Sequence, residues 1–141
     1  MSKEEFSDEF IPKSNWFQFD EVGKAIKGTL IKKSYLKESS DSQLPDQIVY
    51  ELTKVEITLP ESKEHPAGDE MHDPEEVWNV GIPAKKEFVN SRLRLAKVGQ
   101  RIGFKFVKEI PPARKGFSPA KSITPYMWHL DEEWLKTQES M

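Results

Sequence analysis

Several aromatic residues in this chain stand within three positions of lysine or arginine. Tyr35 follows Lys32 and Lys33, and Phe117 follows Arg114 and Lys115. An exposed ring can stack on a nucleobase while a neighbouring cation contacts a phosphate, and each base–ring stack contributes about 1–3 kcal/mol. These residue types at this spacing are typical of proteins that bind single-stranded nucleic acids.

The stretch KEIPPARKGFSPAK, from Lys108 to Lys121, carries the clearest example of this pattern. It places two prolines, an Arg-Lys-Gly turn and a single phenylalanine between two predicted strands. A ring between Gly116 and Ser118 has few partners in a core, so we favour a binding role for Phe117. The stretch is therefore predicted to be a loop that lays cations and one ring against a ligand.

The remaining aromatic candidates lie on or near predicted strands, where a ring can face the core or solvent. For Tyr50 and Trp78 the alternation does not decide whether the ring faces the core or solvent. Tyr126 and Trp128 lie on or near the sheet. Three rings before the first strand, Trp16, Phe17 and Phe19, are expected to cap one end of the core, and Phe104 and Phe106 are expected inside it. The predicted nucleic-acid-binding residues are Lys32, Lys33, Tyr35, Tyr50, Trp78, Lys105, Arg114, Lys115, Phe117 and Lys121.

Charge is strongly segregated along the 141 residues. The formal net charge is −3, yet segment 84–121 holds eleven basic residues and two acidic ones, a balance of +9. The compensating acidic residues near the two ends are Glu4, Glu5, Asp8, Glu9, Asp131, Glu132, Glu133 and Glu139. A basic block masked by acidic ends fits a polyanion binder. A solvated helix face beside frayed termini explains the charges equally well.

Few signs of catalysis or of a cofactor are present. With no cysteine, the chain has no disulfide and no thiolate metal site. It contains no phosphate-binding loop and no nucleophile elbow, so we expect neither an enzyme nor a cofactor. The residues His65, Asp69, His72 and Asp73 lack regular ligand spacing, and we expect no metal there.

No run approaches the roughly 18 apolar residues that a membrane span requires. The N-terminal stretch MSKEEFSDEF is acidic, whereas a secretory signal is basic and then apolar. We therefore expect a cytoplasmic protein without membrane contact.

The elements that must position these residues are predicted from hydrophobic alternation and turn residues. Strands are expected at 25–36, 47–57, 77–83, 101–110 and 121–130, with a helix in 83–99. Gly28 inside the first strand suggests a bulge. One helix between the third and fourth of five strands is the order of the OB-fold, a Greek-key barrel whose loops after strands one and four flank the ligand groove. The fold class is thus all-β with one helix, a five-stranded OB-fold barrel.

The predicted organisation has three parts. An acidic and aromatic lead-in covers 1–20, the OB-fold domain covers 21–130, and an acidic C-terminal tail covers 131–141. Within the domain, segment 58–76 is rich in proline and acidic residues, which predicts a long mobile insertion that buries little surface. The tail is either a contact for partner proteins or a short helix that packs Trp134 on the barrel.

Four stretches carry a resemblance to a known family. They are VGKAIKGTLIKKSY, VYELTKVE, VWNVGIPAKKEFVNSRLRLAKVGQRIGFKFVKE and KGFSPAKSITPY. Over residues 20–128 the chain resembles the small OB-fold single-stranded-DNA-binding proteins of bacteriophages and small bacterial genomes. It departs from them where a tight hairpin after strand two is replaced by the acidic insertion.

The resemblance implies single-stranded DNA binding with little sequence specificity, in DNA replication, recombination or repair. A phage-encoded chain would act in the host cytoplasm. The acidic C-terminus would then contact replication or repair proteins, and an exposed strand edge would allow a homo-oligomer. Two alternatives stay open: an RNA-binding OB protein, and a protein-interaction adaptor that uses the acidic insertion and tail.

Overall fold

The computed structural model describes residues 15–37, 46–63, 65–111 and 120–139, and most of them lie in β-strands. The strands are β1 (Asn15–Trp16), β2 (Ala25–Leu36), β3 (Gln47–Leu59), β4 (Gly68–Met71), β5 (Trp78–Pro83), β6 (Gln100–Ile110) and β7 (Ala120–Leu130). The helices are α1 (Glu87–Arg92) and α2 (Glu132–Glu139). None of the helices in this part of the chain is long and apolar enough to cross a membrane.

The strands form one open mixed sheet in the order β1-β5-β3-β2-β6-β7, and β4 pairs with β3 outside this path. All pairs are antiparallel except β1 with β5. The long strands β2 and β3 lie at the centre, where Ile26 pairs with Ile57 and Tyr35 pairs with Ile48. Each long strand predicted from alternation is present, and the span predicted for the first agrees residue for residue with β2.

The core lies on the face of the sheet that α1 covers. Ile102, Phe104 and Phe106 alternate along β6 and are fully buried, as the sequence predicts. Phe104 contacts the rings of Phe19 and Tyr50, with centroids 6.5 and 5.2 Å away. Burial of each large apolar side chain stabilises the fold by about 1.5–3 kcal/mol, so these rings contribute strongly to the core.

A bulge in β2 confirms the role predicted for Gly28. The pairing of β2 with β3 shifts register between Lys27 and Thr29. A Cβ atom on Gly28 would lie 2.9 Å from the Thr53 carbonyl oxygen, so only glycine allows this approach. On the facing strand, Lys54 takes a positive φ of 52°, which a non-glycine residue rarely adopts.

The predicted helix at 83–99 is correct in place but too long. Pro83 belongs to β5, and α1 ends at Arg92. Beyond it, the Arg94 and Ala96 amides bond the carbonyls of Ser91 and Leu93, three residues back. These tighter turns replace the α-helical pattern, because they bury Leu93 and Ala96 while the chain bends toward β6.

The predicted mostly-β architecture with few helices is confirmed, whereas the strands form an open mixed sheet of seven rather than a five-stranded barrel. The short strand β1 pairs in parallel with the outer edge of β5, and the Phe17 amide extends this pairing to the Asn79 carbonyl. Phe17 and Phe19 then enter the core, as expected. Because β1 occupies this edge, β7 pairs with β6 alone within the described residues.

The acidic insertion at 58–76 stays mostly exposed, as its composition predicts, but its second half contains a strand that was not predicted. There, β4 pairs with the end of β3, from Glu56 to Leu59. The Thr53 hydroxyl donates to the Pro74 carbonyl, and the His72 amide donates to the Val55 carbonyl. Backbone pairing, which composition does not reveal, therefore extends the sheet into the insertion.

The C-terminus contains the short helix of the second predicted alternative, α2, while the partner contact of the first stays a prediction. The Asp131 carboxylate accepts the Trp134 amide at 3.0 Å and so caps the helix. Leu135 lies against Gly99, whose added Cβ would fall 2.6 Å from a Leu135 methyl. Gly99 also has a φ of 93°, so glycine is required there on both grounds.

Candidate nucleic-acid interface

A cleft of about 590 Å³ lies between the β1–β5 edge and the start of β7. We call it the edge cleft, and its principal side chains are Trp16, Leu36, Lys85, Lys86 and Lys121. None of the described residues that line it is acidic. The cleft thus combines apolar surface with three lysines.

The aromatic member of the edge cleft is Trp16, which is 43% exposed. Parallel pairing of β1 places it opposite Asn79, and a Cβ atom on Gly81 would lie 3.5 Å from its ring. The same Cβ would lie 2.1 Å from the Gln47 amide oxygen. Glycine at position 81 therefore leaves room for both side chains, and the indole keeps an open surface.

The cations of the edge cleft come from two elements that a hydrogen bond joins. Lys85 and Lys86 lie in the turn between β5 and α1, and the Lys86 ammonium donates to the Lys121 carbonyl at 2.7 Å. Partial burial and the neighbouring Lys85 charge lower the pKa of Lys86. The Lys121 ammonium stands 5.7 Å from the centre of the Phe106 ring. Three lysines from two elements thus line one cleft.

The predicted binding loop meets the edge cleft at its C-terminal end. Ala120 and Lys121, the last two residues of the predicted stretch, begin β7 and line the cleft. The predicted contacts Arg114, Lys115 and Phe117 lie outside the described residues. Lys121 is therefore the one predicted residue that lies in the cleft within the described part of the chain.

The predicted residues on β2 have different surroundings. Tyr35 is exposed and donates its hydroxyl to the Asp46 carboxylate at 2.6 Å, and this bond raises the pKa of Tyr35. The Lys33 ammonium donates to the carbonyls of Leu93 and Arg94, at 3.3 and 3.1 Å, so it stabilises the turn after α1. Lys32 is exposed. Of these three residues, Lys33 is the one whose ammonium group is already hydrogen-bonded to backbone carbonyls.

The prediction that Tyr50 stacks on a base is wrong. Tyr50 is 1% exposed, and its hydroxyl donates to the Asn90 side-chain oxygen at 2.8 Å. Burial raises its pKa to about 12. The residue pairs with Val80 in the middle of the sheet and faces the core, so no ligand reaches its ring.

Trp78 lies on the same inward face of β5 as Val80 and Ile82, and it packs partly against the core. Its ring centroid is 4.7 Å from that of His72. The buried indole nitrogen of Trp78 has no hydrogen-bond partner within the described ranges. The ring thus has one side in the core and one side against the insertion, and it does not line the edge cleft.

The sequence-based selection missed Trp16, Lys85 and Lys86. Trp16 is expected from the sequence to cap the core with its two phenylalanine neighbours, and only those neighbours are buried. The adjacent lysines are visible in the basic block, but no local pattern indicates that their turn faces Trp16. Parallel pairing of β1 with β5, in which Trp16 lies opposite Asn79, brings these residues to one cleft.

A second group of charges lies beside a cavity of about 800 Å³ and is fully paired. Asp131, 8% exposed, accepts the Thr29 hydroxyl at 2.6 Å and the Lys54 ammonium at 2.9 Å. Arg101 donates to the Thr29 hydroxyl and the Lys54 carbonyl, at 3.2 and 3.0 Å, and reaches Glu56 at 3.5 Å. We call these five residues the Asp131 cluster.

Burial acts to raise the pKa of Asp131, but the bonds from Thr29, Lys54 and the Trp134 amide, with the Lys54 charge, lower it to about 2. The carboxylate is therefore ionised at neutral pH. Its charge balances Lys54, while Glu56 lies beside Arg101 and Lys27. The Asp131 cluster holds β2, β3, β6 and the start of α2 together, which is a structural role.

Comparisons of the chain with protein-family models, with curated proteins and with solved structures find no match. The functional argument therefore rests on the chain's own residues.

Proposed function

We propose that this protein binds single-stranded DNA, with little sequence specificity, in the edge cleft. The observation that carries the proposal is an exposed indole beside three lysines in one open cleft whose described lining residues include no acidic side chain. A base can stack on Trp16 while Lys85 and Lys121 contact neighbouring phosphates and Lys86 adds to the positive field. Such binding would serve DNA replication, recombination or repair, in which single strands are exposed.

The strand order supports an OB-type arrangement. With β2, β3, β5, β6 and β7 counted as strands one to five, their order across the sheet is 3-2-1-4-5. This is the neighbour order of an OB barrel opened between its third and fifth strands. In a closed barrel the third and fifth strands pair with each other. Here β1 pairs with β5 instead, and the edge cleft lies at the opening between β5 and β7. We propose that the chain is an OB-fold variant on this basis.

Low sequence specificity follows from the available side chains. Lysine ammonium groups contact phosphates as point charges, whereas base reading commonly uses planar forks such as arginine. Arg101, which could supply such a fork, is bonded to Thr29, Lys54 and Glu56. Every base offers a face for stacking, so a strand of any sequence fits.

The test is fluorescence anisotropy with a labelled oligo-dT of about 30 nucleotides, longer than one OB-type site of about 4–16. We expect tight binding that weakens steeply with salt, by a slope of about −0.7 per phosphate contact. Duplex DNA of equal length should compete poorly. Equally strong competition by an RNA oligomer would assign the protein to the RNA-binding alternative, and no binding at low salt would overturn the proposal.

A substitution in the edge cleft locates the binding. Trp16→Ala should weaken oligo-dT binding by about tenfold or more, because one base–ring stack is lost. The matched control is Phe88→Ala, since Phe88 is an exposed ring on α1 outside the cleft. Equal affinities of the two variants would mean that the DNA does not use the cleft. Thermal melting confirms that both variants are folded.

A further inference from the structure

A second aromatic surface lies on β7 and shares no residue with the edge cleft. The rings of Tyr126 and Trp128 are parallel within 6°, with centroids 5.7 Å apart. They are 39% and 42% exposed, so part of each ring is open to solvent. Residues two apart on a strand share one face, so both rings stand on the outer side of the sheet.

The glycine at position 103 fixes this pair in place. Gly103 pairs with Tyr126 on one side and Lys27 on the other. An added Cβ there would lie 3.0 Å from two atoms of the Trp128 ring and 2.9 Å from the Ile26 carbonyl oxygen. The indole therefore rests against the sheet backbone. Its orientation is set before any ligand arrives, which lowers the entropy cost of binding.

Two lysines stand beside the rings. Lys27, Lys105, Tyr126 and Trp128 all line a hollow of about 120 Å³. Lys105 is exposed and has no hydrogen bond or ion pair to the described residues, while Lys27 pairs with Glu56 at 3.1 Å. Glu56 also lines the hollow, but the Lys27 side chain is 49% exposed, so its ammonium can reach a phosphate while it stays beside Glu56. We call the two rings and two lysines the outer platform.

We propose that the outer platform binds a second stretch of the same single-stranded DNA, by stacking of bases on Tyr126 and Trp128 and phosphate contacts from Lys105 and Lys27. This inference rests on the proposed function and extends it to a second surface. A cation beside the rings favours nucleic acid over an apolar peptide, which would gain nothing from Lys105. Two sites on one domain make the second contact intramolecular, so affinity rises with strand length.

The experiment compares oligo-dT of about 8 and about 30 nucleotides, bound to wild type, Tyr126→Ala and Lys105→Glu. Both variants should bind the short oligomer within twofold of wild type, and the long one about tenfold more weakly. Lys97→Glu, a charge reversal outside both surfaces, is the matched control for Lys105→Glu. Since Lys105 has no partner in the described structure, its replacement leaves the fold intact.

Photocrosslinking gives a readout that a structural role would not produce. An oligo-dT with 5-bromodeoxyuridine at one position should form adducts on Tyr126 or Trp128, located by mass spectrometry, and none on the exposed Phe88. Variants that bind both lengths like wild type, while Trp16→Ala weakens binding, would overturn the outer platform alone. Absence of all binding would overturn the proposed function as well. A dimer that Tyr126→Ala dissociates, with DNA affinity unchanged, would make a second copy the occupant.

Discussion

Cations of this protein occur in two regions with opposite surroundings. In the Asp131 cluster, Lys54 and Arg101 each have a carboxylate partner and further hydrogen bonds. In the edge cleft, Lys85 and Lys121 face a surface whose described lining residues include no carboxylate. The same residue types thus serve two purposes: cations paired with carboxylates hold strands together, whereas cations on the cleft surface remain available to a phosphate.

The difference predicts which property of the protein a substitution changes in each region. A buried charge whose partner is removed is strongly destabilising, because it is left desolvated and unpaired. An exposed lysine loses only a weak interaction when it is replaced. Substitutions in the Asp131 cluster should therefore change stability, and substitutions in the edge cleft should change binding.

The largest expected effect follows from Asp131→Asn. The substitution keeps the size of the side chain but removes the charge that balances Lys54, and it should lower the free energy of unfolding by about 2 kcal/mol. Urea denaturation measures this loss. Glu133→Gln, on the exposed side of α2, is the matched control and should change stability by less than about 0.5 kcal/mol. If both substitutions lowered the free energy of unfolding equally, the Asp131 cluster would not differ from the exposed surface in its effect on stability.

The pH dependence of stability tests the same carboxylate without mutation. The pKa of Asp131 falls from the ordinary value of 3.8 to about 2 in the folded protein. Its contribution, about 2 kcal/mol, is therefore fully present above pH 4 and is lost as the pH falls through about 2. The stability difference between wild type and Asp131→Asn should shrink across this range. A constant difference from pH 5 to pH 2 would contradict the assignment.

Strand positions can be predicted from the sequence because period-two alternation is a local property. It places Ile102, Phe104 and Phe106 on one face of β6 without knowledge of any neighbouring strand. On β3 the same argument fails, since Val49 and Tyr50 are adjacent and both are buried. A central strand covered on both faces carries no alternation that identifies the inward side, and the wrong prediction for Tyr50 has this cause.

The site itself depends on pairing that local patterns do not encode. The two-residue strand β1 has no periodicity, yet its pairing with β5 opens the sheet and brings Trp16 to Lys85. The strand inside the insertion is likewise missed, because composition does not reveal that Gly68–Met71 pairs with β3. The bulge at Gly28 is predictable because a glycine inside a strand often marks a bulge or a close backbone approach. Local signals therefore locate the elements, and long-range pairing decides which side chains meet.

The mildest of these substitutions removes a single cation from the edge cleft, so it tests the difference between the two regions directly. Lys85→Ala should reduce oligo-dT affinity about fourfold at roughly 0.15 M salt and make the salt slope shallower by about 0.7, the value of one phosphate contact. The free energy of unfolding should stay within about 0.5 kcal/mol of wild type, because Lys85 is exposed. Lys97→Ala, an exposed lysine outside the cleft, is the control. If both variants shift the slope equally, the DNA senses only the overall charge of the protein, and the edge cleft has no special role.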